Sequence, residues 1–477
     1  MTLFCSRRPV GGAGMSVASV PRANRCQAHP TLRTAKRLQK AALISAFIFS
    51  CAVNENALTL DTALATTLEK NPEIAQARIA LEQAAGRRLV LRANAYPDVR
   101  MQVPVGVQGG KRAGDPSIRP FGFARGFFTQ PLLNAAIPAS RRRGDIEVLL
   151  AQQRLNVAVV GKLHAARVAF YTGLYNDSLH TLGEAQRERL AQNISTQDER
   201  YRAGQTDRAG LVSAQLLERE LEPRIQEVQR GYEGSVLTLV TIMGTETSST
   251  ATPVRLEGEL QFAAVNHDLE RETAEALTDR PDLQLARTLV RAAEEDQRII
   301  AAQYYPALDG TISGTYIPVT IHTANGGSAS SSNNIVSSEG AAGFALTWRV
   351  IDNGRVTGQV MKQRAIREMN EISLRQLEAN VSRELKQIAN NFRAAESRFK
   401  ALSDAAAAAE QNVNFLQRSL AEGLSSQLEF RTAENSLLET KSALLAATYQ
   451  QNVARAEWDR ATGRYFQFSG DTAGNVH

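Results

Sequence analysis

Apolar positions recur at every third or fourth residue over very long stretches of this chain. Val381, Leu385, Ile388, Phe392, Ala395 and Phe399 form one such stripe, the mark of a helix with one buried face. The intervening faces are Ala, Gln, Asn, Arg and Glu, and the run Ala405 to Ala409 lets neighbouring backbones approach closely. The pattern predicts helices over about Leu60–Ala95, Asn134–Arg202 and Asp207–Met243, then over about Leu269–Gln303, Gly354–Ala421 and Ser425–Thr462. Asp61 or Asn71 is placed to cap the first, with Pro72 at a first-turn position. The long patterns imply helices of ~100 Å and the short ones ~50 Å, at 1.5 Å per residue. Two short helices placed end to end match one long one. Globular helices average about 11–12 residues, so the expected architecture is mainly α, a very long bundle or coiled coil.

Between the short and long helices of each half the period changes to two. Val99, Met101, Val103, Val105 and Val107 alternate with Arg100, Gln102, Pro104 and Gly106, and Phe121, Phe123 and Phe127 take the odd positions of a partner run. In the second half Leu308, Ile312 and Tyr316 alternate with Asp309, Thr311, Ser313 and Thr315. Phe344, Leu346, Trp348 and Val350 alternate with Ala345, Thr347 and Arg349. Runs of about 9–11 residues suit tilted transmembrane β-strands, with aromatics for an interface girdle. A soluble hairpin packed on the bundle is the competing reading. The strands are expected at about 99–107, 121–131, 308–320 and 341–351. The connecting loops, Gly109 to Pro116 and Asn325 to Asn334, are polar and Gly- or Ser-rich and cannot bury a core.

The two halves repeat each other. Asn71-Pro72-Glu73 to Tyr96-Pro97 reappears 209 residues later as Arg280-Pro281-Asp282 to Tyr305-Pro306. The offset grows to 218 at Asn134/Asp352 and 219 at Gly204/Gly423, so the added length lies in the strand–loop–strand segment. A repeat this long is a duplicated domain rather than a solenoid unit. It divides the chain into a leader (1–51), a first repeat (52–265), a second repeat (266–465) and a flexible tail (466–477).

Charge changes the picture only at the N-terminus. The formal net charge is +6, which on its own would suggest nucleic acid or a membrane surface. Residues 1–50 hold eight of the 55 Lys and Arg and no acidic residue; 55 − 8 = 47 basic against 49 acidic residues remain, a net of −2. The basicity belongs to the leader, and no nucleic-acid partner is expected. Arg37 and Lys40 precede the thirteen-residue apolar run Ala41–Val53, an export-signal length and too short for the ~20 residues that span a bilayer. All three cysteines (Cys5, Cys26, Cys51) fall in this region, which excludes a disulfide scaffold and a Cys-ligated metal from the rest. Cys51 follows Ile48-Phe49-Ser50, resembling a lipobox whose Cys is lipidated; ordinary cleavage nearby, for instance after Ala57, competes with it.

No catalytic constellation is present. The six His are scattered, and His164 and His180 lie sixteen residues apart on one helix pattern, too far for one metal. There is no His-Glu-x-x-His, phosphate loop or Gly-x-Ser-x-Gly. The chain reads as no enzyme, with no cofactor and no metal. If its strands cross a membrane the sheet must close, because lipid cannot satisfy an open edge. Four strands are too few, since known barrels have at least eight. Three chains would supply twelve.

These features resemble the TolC-like outer-membrane efflux (outer membrane factor) family over about residues 58–465. The resemblance is carried by the Asn/Arg-Pro-Glu/Asp helix starts, the Tyr-Pro ends, the junction Trp348-Arg-Val-Ile-Asp-Asn-Gly-Arg355, and the turns Tyr201–Leu211 and Leu420–Phe430. It implies a homotrimer with a twelve-stranded barrel in the outer membrane of a Gram-negative bacterium and a roughly 100 Å periplasmic α-barrel. It further implies a passive export duct that docks a periplasmic adaptor and an inner-membrane pump. A soluble periplasmic coiled-coil scaffold or adaptor is the alternative. By resemblance, the turns with Gly204, Thr206, Gly423 and Ser425 dock the adaptor, and Glu429 forms a lumenal constriction. The family's second acidic position is Thr432 here. The latching Tyr and Arg of some members match Leu420 and Ser425, so this chain departs from that latch.

Overall fold

The computed structural model describes residues 57–109, 118–245, 254–264, 268–321 and 333–465. The leader with Cys51, most of both strand-connecting loops and the tail lie outside the described residues. A short strand β1 (Ala57–Leu58) leads into α1 (Leu60–Lys70) and α2 (Pro72–Ala93). The first strands follow: β2 (Asp98–Gln102), β3 (Val105–Gly109), β4 (Ile118–Gly122) and β5 (Ala124–Leu133). Then come α3 (Ala136–Arg202), α4 (Arg208–Met243) and β6 (Arg255–Leu256). The second half holds α5 (Leu269–Asp279), α6 (Pro281–Ala301), β7 (Ala307–Ile321), β8 (Asn333–Thr347), α7 (Arg355–Ala421) and α8 (Gln427–Thr462). At 67 residues each, α3 and α7 are ~100 Å long.

The first helix pattern is two helices. Thr59 rather than Asp61 caps α1, through a capping box with Thr62. Asn71 ends α1 and restarts the chain: its Oδ1 accepts from the backbone N–H groups of Glu73 and Ile74 at 2.9 and 3.1 Å. The break comes from Pro72, which removes a helix donor and pushes the preceding residue out of the α region; Asn71 sits at ψ 127°. Pro281 does the same between α5 and α6, with Arg280 at ψ 124°.

These breaks set up end-to-end stacking. The C-terminus of α4 meets the N-terminus of α2 at Gly244 (φ +70°), where a Cβ would lie 2.5 Å from the Lys70 carbonyl. Only glycine satisfies both the left-handed backbone and that approach. Asn71 Nδ2 donates to the Ile242 carbonyl at 2.6 Å, across the joint. The second repeat rebuilds the joint with different chemistry. Gly463 (φ +79°) meets Asp279, and Arg280 reaches the Ala461 carbonyl at 3.4 Å, the counterpart of Ile242. Arg280 also pairs with Asp282 at 2.8 Å and Glu384 at 2.6 Å, and Arg460 holds Glu384 at 2.5 Å. Burial pushes the Glu384 carboxyl up, but the hydrogen bonds and charges of Arg280 and Arg460 outweigh it and hold it below the ordinary range. Asp282 is depressed in the same way, Arg280 overcoming its burial.

Side-by-side packing makes one open layer. In the half nearer the strands the neighbours run α2–α3–α6–α7, and in the other half α4–α3–α8–α7. The four-stranded antiparallel sheet follows the same order, β2–β5–β7–β8. One edge of the layer is therefore β2, α2 and α4, and the other is β8 and α7. Among the described residues, buried apolar clusters knit the helices; one joins Val381, Leu385, Ile388 and Phe392 of the predicted stripe to Trp458. Phe399, the last member of the stripe, stacks on Phe262 of the inter-repeat segment at 4.0 Å between centroids.

The strands differ from their predicted limits at three places, one being the end of β8 at Thr347, which leaves Trp348 and Val350 beyond the ladder. The first hairpin is interrupted at Val103-Pro104 and Phe123, so β3 and β4 pair only with each other; Pro104 lacks the N–H needed to continue the ladder. The β7–β8 hairpin is unbroken, with fifteen pairs, and β8 begins at Asn333.

Candidate functional site

Both helical hairpins turn by the same device. At the first, Gly204 (φ +72°) closes α3, with Gln205 N–H donating to the Arg200 carbonyl at 2.8 Å and Gly204 N–H to Tyr201 at 3.0 Å. At the second, Gly423 (φ +78°) closes α7, with Leu424 N–H donating to Ser419 at 2.7 Å and Gly423 N–H to Leu420 at 3.1 Å. This six-to-one, five-to-two pattern satisfies carbonyls that a helix end leaves orphaned and requires a left-handed residue, hence glycine.

The return helices start differently. Asp207 caps α4, its Oδ1 accepting from Gly210 N–H at 2.9 Å. Ser426 caps α8 through a full capping box: Glu429 N–H donates to Ser426 Oγ at 3.2 Å, and Ser426 N–H donates to Glu429 Oε2 at 2.9 Å. Glu429 is thus exposed, but its carboxylate is turned back onto the helix N-terminus, where the dipole also favours it. The Ser-x-x-Glu spacing carried that information in the sequence. Thr206 and Ser425, the residues before the caps, are both half-buried. Ser425 Oγ donates to the Leu416 carbonyl at 3.2 Å. The second turn carries two carboxylates, Glu422 and Glu429, with no basic residue between them, whereas in the first Asp207 stands between Arg202 and Arg208.

Sequence reasoning missed what joins the two hairpins. Above the turns, α3 faces α8 with polar residues at core spacing. Arg189 makes a two-pronged ion pair with Glu434, Nε to Oε1 at 2.9 Å and Nη2 to Oε2 at 3.2 Å. The Glu434 side chain is 0% exposed. Asn193 and Gln427 exchange amide contacts at 3.3 and 3.4 Å. Arg200 Nη1 donates to the Leu420 carbonyl at 2.5 Å, and its other head nitrogen lies 3.0 Å from where a Cβ on Gly423 would sit. Arg431 pairs with Glu220 at 2.9 Å. Positions matching a family latch, Leu420 and Ser425, supply no charge. Arg200, Asn193 and Arg189 tie the hairpins together instead. Their partners lie 220–245 residues away in sequence, beyond any local pattern.

At the other end the sheet has two chemically distinct faces. Directly opposed residues share a face, and the register places Val99, Phe128 and Ile312 together, as it does Met101 with Gly126 and Leu308 with Leu346. Phe344 and Leu346 on that face are 77% and 67% exposed. The other face holds Asp98, Arg100, Gln102, Arg125, Thr129, Asp309, Thr311, Ser313, Thr315 and Glu339. Phe127 falls on this polar face, opposite Arg100 and Ser313; Phe128 is the aromatic of the apolar one. The odd-position alternation expected for Phe123 and Phe127 holds, but it marks the polar side. Arg125 stacks over both rings, 5.2 and 5.8 Å from their centroids. At the helix end of the apolar face, Trp348 Nε1 donates to the Tyr304 carbonyl at 3.2 Å. Among the described residues no helix is long and apolar enough to cross a membrane.

An open helical layer with paired hairpin turns at one end and a two-faced sheet at the other is the fold of solved outer membrane channels. The outer membrane protein VceC from Vibrio cholerae matches with a TM-score of 0.70 at 18% identity, covering 85% of this chain and 96% of that one. The CmeC outer membrane channel of Campylobacter jejuni matches with a TM-score of 0.73 at 12% identity, covering 89% and 90%. The open-state MtrE outer membrane channel of Neisseria gonorrhoeae matches with a TM-score of 0.68 at 16% identity, covering 85% and 88%. By sequence, residues 273–464, essentially the second repeat, match the outer membrane efflux protein family. A search by sequence against curated proteins gives no match.

Proposed function

We propose that this chain is one subunit of a homotrimeric export duct in the outer membrane of a Gram-negative bacterium, conducting cargo passively from the periplasm to the exterior. The observation that carries this reading is the pair of unpartnered edges on one two-faced layer. β2 and β8 are the edges of an antiparallel sheet of four strands, and an even strand number lets β8 of one copy run antiparallel to β2 of the next. The nine residues Leu308–Tyr316 that pair with β5 have the length of a tilted transmembrane strand. The apolar face then meets lipid, the polar face lines the lumen, and α2, α4 and α7 close the helical wall in the same rotation. A head-to-tail contact that closes on itself forms a ring, and three copies give twelve strands.

In this arrangement the turns at Gly204 and Gly423, with Thr206 and Ser425, form the periplasmic mouth that meets an adaptor bridging to an inner-membrane pump. Glu422 and Glu429 make the second turn acidic, and several carboxylates around one axis favour cations over anions. Export begins with the leader, and Cys51 is the candidate lipid anchor, tested by acyl mass at the mature N-terminus. The function is tested by reconstituting the full chain in planar bilayers. A stable conductance with a preference for cations that falls in Glu429→Gln supports the duct and the acidic mouth. Unchanged selectivity removes Glu429 from the constriction, and a soluble species with no conductance refutes the duct in favour of the periplasmic scaffold.

A further inference from the structure

The polar face of the sheet is not uniform. At its helix end, β2, β5 and the C-terminus of α2 enclose a cleft of about 700 Å³ whose lining includes Tyr96, Asp98, Arg100, Phe127 and Thr129. Arg100 stands opposite Phe127, and Asp98 opposite Thr129, on adjacent strands. Asp98 pairs with Arg100 at 2.5 Å, and both side chains remain more than half exposed. Two further guanidinium groups flank the rings. Arg125 lies over Phe127 and donates to Thr315 Oγ1 at 3.3 Å, and Arg141 lies over Tyr96, 5.9 Å from its centroid. Among the described residues neither Arg125 nor Arg141 has a carboxylate within ion-pair distance. Asp309, opposite Pro131, and Glu339, opposite Thr315, are further acidic groups on the same face. Arg125 and Arg141, neither of them paired with a carboxylate, thus stand beside two aromatic rings and leave positive charge next to flat apolar surface.

We infer that this cleft is a transit site for planar aromatic anions in the lumen at the base of the barrel. The inference rests on the duct reading above, since it needs the polar face to be turned inward. Phe127 and Tyr96 supply faces for ring stacking. Arg100 supplies a charge-assisted contact to a carboxylate or sulfonate, and Thr129 and Gln102 supply neutral hydrogen-bond partners. The cleft holds molecules of two or three fused or linked rings. With the mouth acidic and this shelf basic, the duct carries opposite charge preferences at its two ends. An anionic aromatic cargo therefore pauses near the exit rather than at the entrance.

The test is open-channel block of the reconstituted full-length protein. The probe is 2-naphthalenesulfonate, and the control is a trimethylammonium derivative of the same ring system. The expected result is concentration-dependent block by the sulfonate and weaker block by the cation. Block should weaken about tenfold in Arg100→Gln and in Phe127→Leu, the size of losing one charge-assisted or stacking contact. The unblocked conductance in potassium chloride reports that each variant has assembled. Conducting variants that block as the wild type does, or equal block by the cation, overturn the cleft as a site while leaving the duct standing. Absence of any conductance in the wild type overturns both.

Discussion

The ion pair between Arg189 and Glu434 gives the sharpest energetic test of how the two hairpins are held. Glu434 is 0% exposed and Arg189 24% exposed, so the partners are unequally able to return to water. Removing one member of a buried pair costs about 3–5 kcal/mol, mostly from stranding the other charge. In Arg189→Met a carboxylate is stranded with no route to solvent, and the full ~3–5 kcal/mol is expected. In Glu434→Gln the guanidinium can swing outward and keep one amide contact, so about 2–3 kcal/mol is expected. The double variant Arg189→Met/Glu434→Leu replaces the pair by apolar groups and should recover much of the loss. The assay is thermal unfolding of the detergent-solubilised protein, beside single-channel conductance, which should rise as the hairpins loosen. Equal destabilisation by both single variants, or a double variant that simply adds their costs, would refute the reasoning.

Three further outcomes follow from other parts of the molecule. Gly423→Ala and Gly204→Ala should each cost about 1–2 kcal/mol in a left-handed turn. Only Gly423→Ala should also displace the Arg200 head that lies 3.0 Å from its new Cβ, so a conductance change confined to Gly423→Ala is the expected pattern. Glu384 and Asp282 both have folded pKa values below their ordinary ones. The stability they contribute is complete above about pH 4.3 and is lost as pH falls through the lower folded values; melting followed from pH 7 to 3 should show this acid step in wild type and a smaller one in Arg280→Met. On the sheet, Ile312→Arg should cost about 2–4 kcal/mol if its face meets lipid, whereas Thr311→Arg on the polar face should assemble normally. Heat-modifiable migration of outer-membrane fractions separates the two.

Most of the architecture was written in short-range periodicity. The long helices and the four strands follow from spacings of 3.6 or two residues, because burial of one face imposes those periods, and the repeat and the glycine turns were legible in motifs that recur 209 to 219 residues apart. What escaped was of two kinds. Some signals were local and went to another reading: the capping-box spacing of Ser426 and Glu429, and Pro72 as a break between two helices rather than a turn within one. Phe127 and Phe128 are adjacent aromatics, and composition cannot say which faces lipid until the register with Arg100 and Ile312 is known. Other contacts had no local signal at all. Arg189–Glu434 and Arg200–Leu420 depend on how two hairpins more than 200 residues apart lie side by side, and the matching joints at Asn71 and Arg280 use different side chains for one job.

Closure of the sheet between copies tests the account most directly. Cysteines placed at Val99 on β2 and, in turn, at Phe344 or Leu346 on β8 or at Trp348 just beyond it cannot meet within one chain, because β5 and β7 stand between those strands. Under oxidation at least one pairing should link chains into a ladder that ends at the covalent trimer. The same pairing should fail to link in a variant that does not reach the outer membrane. Absence of cross-links at every pairing, or a ladder that runs past three chains, would contradict a closed trimeric duct.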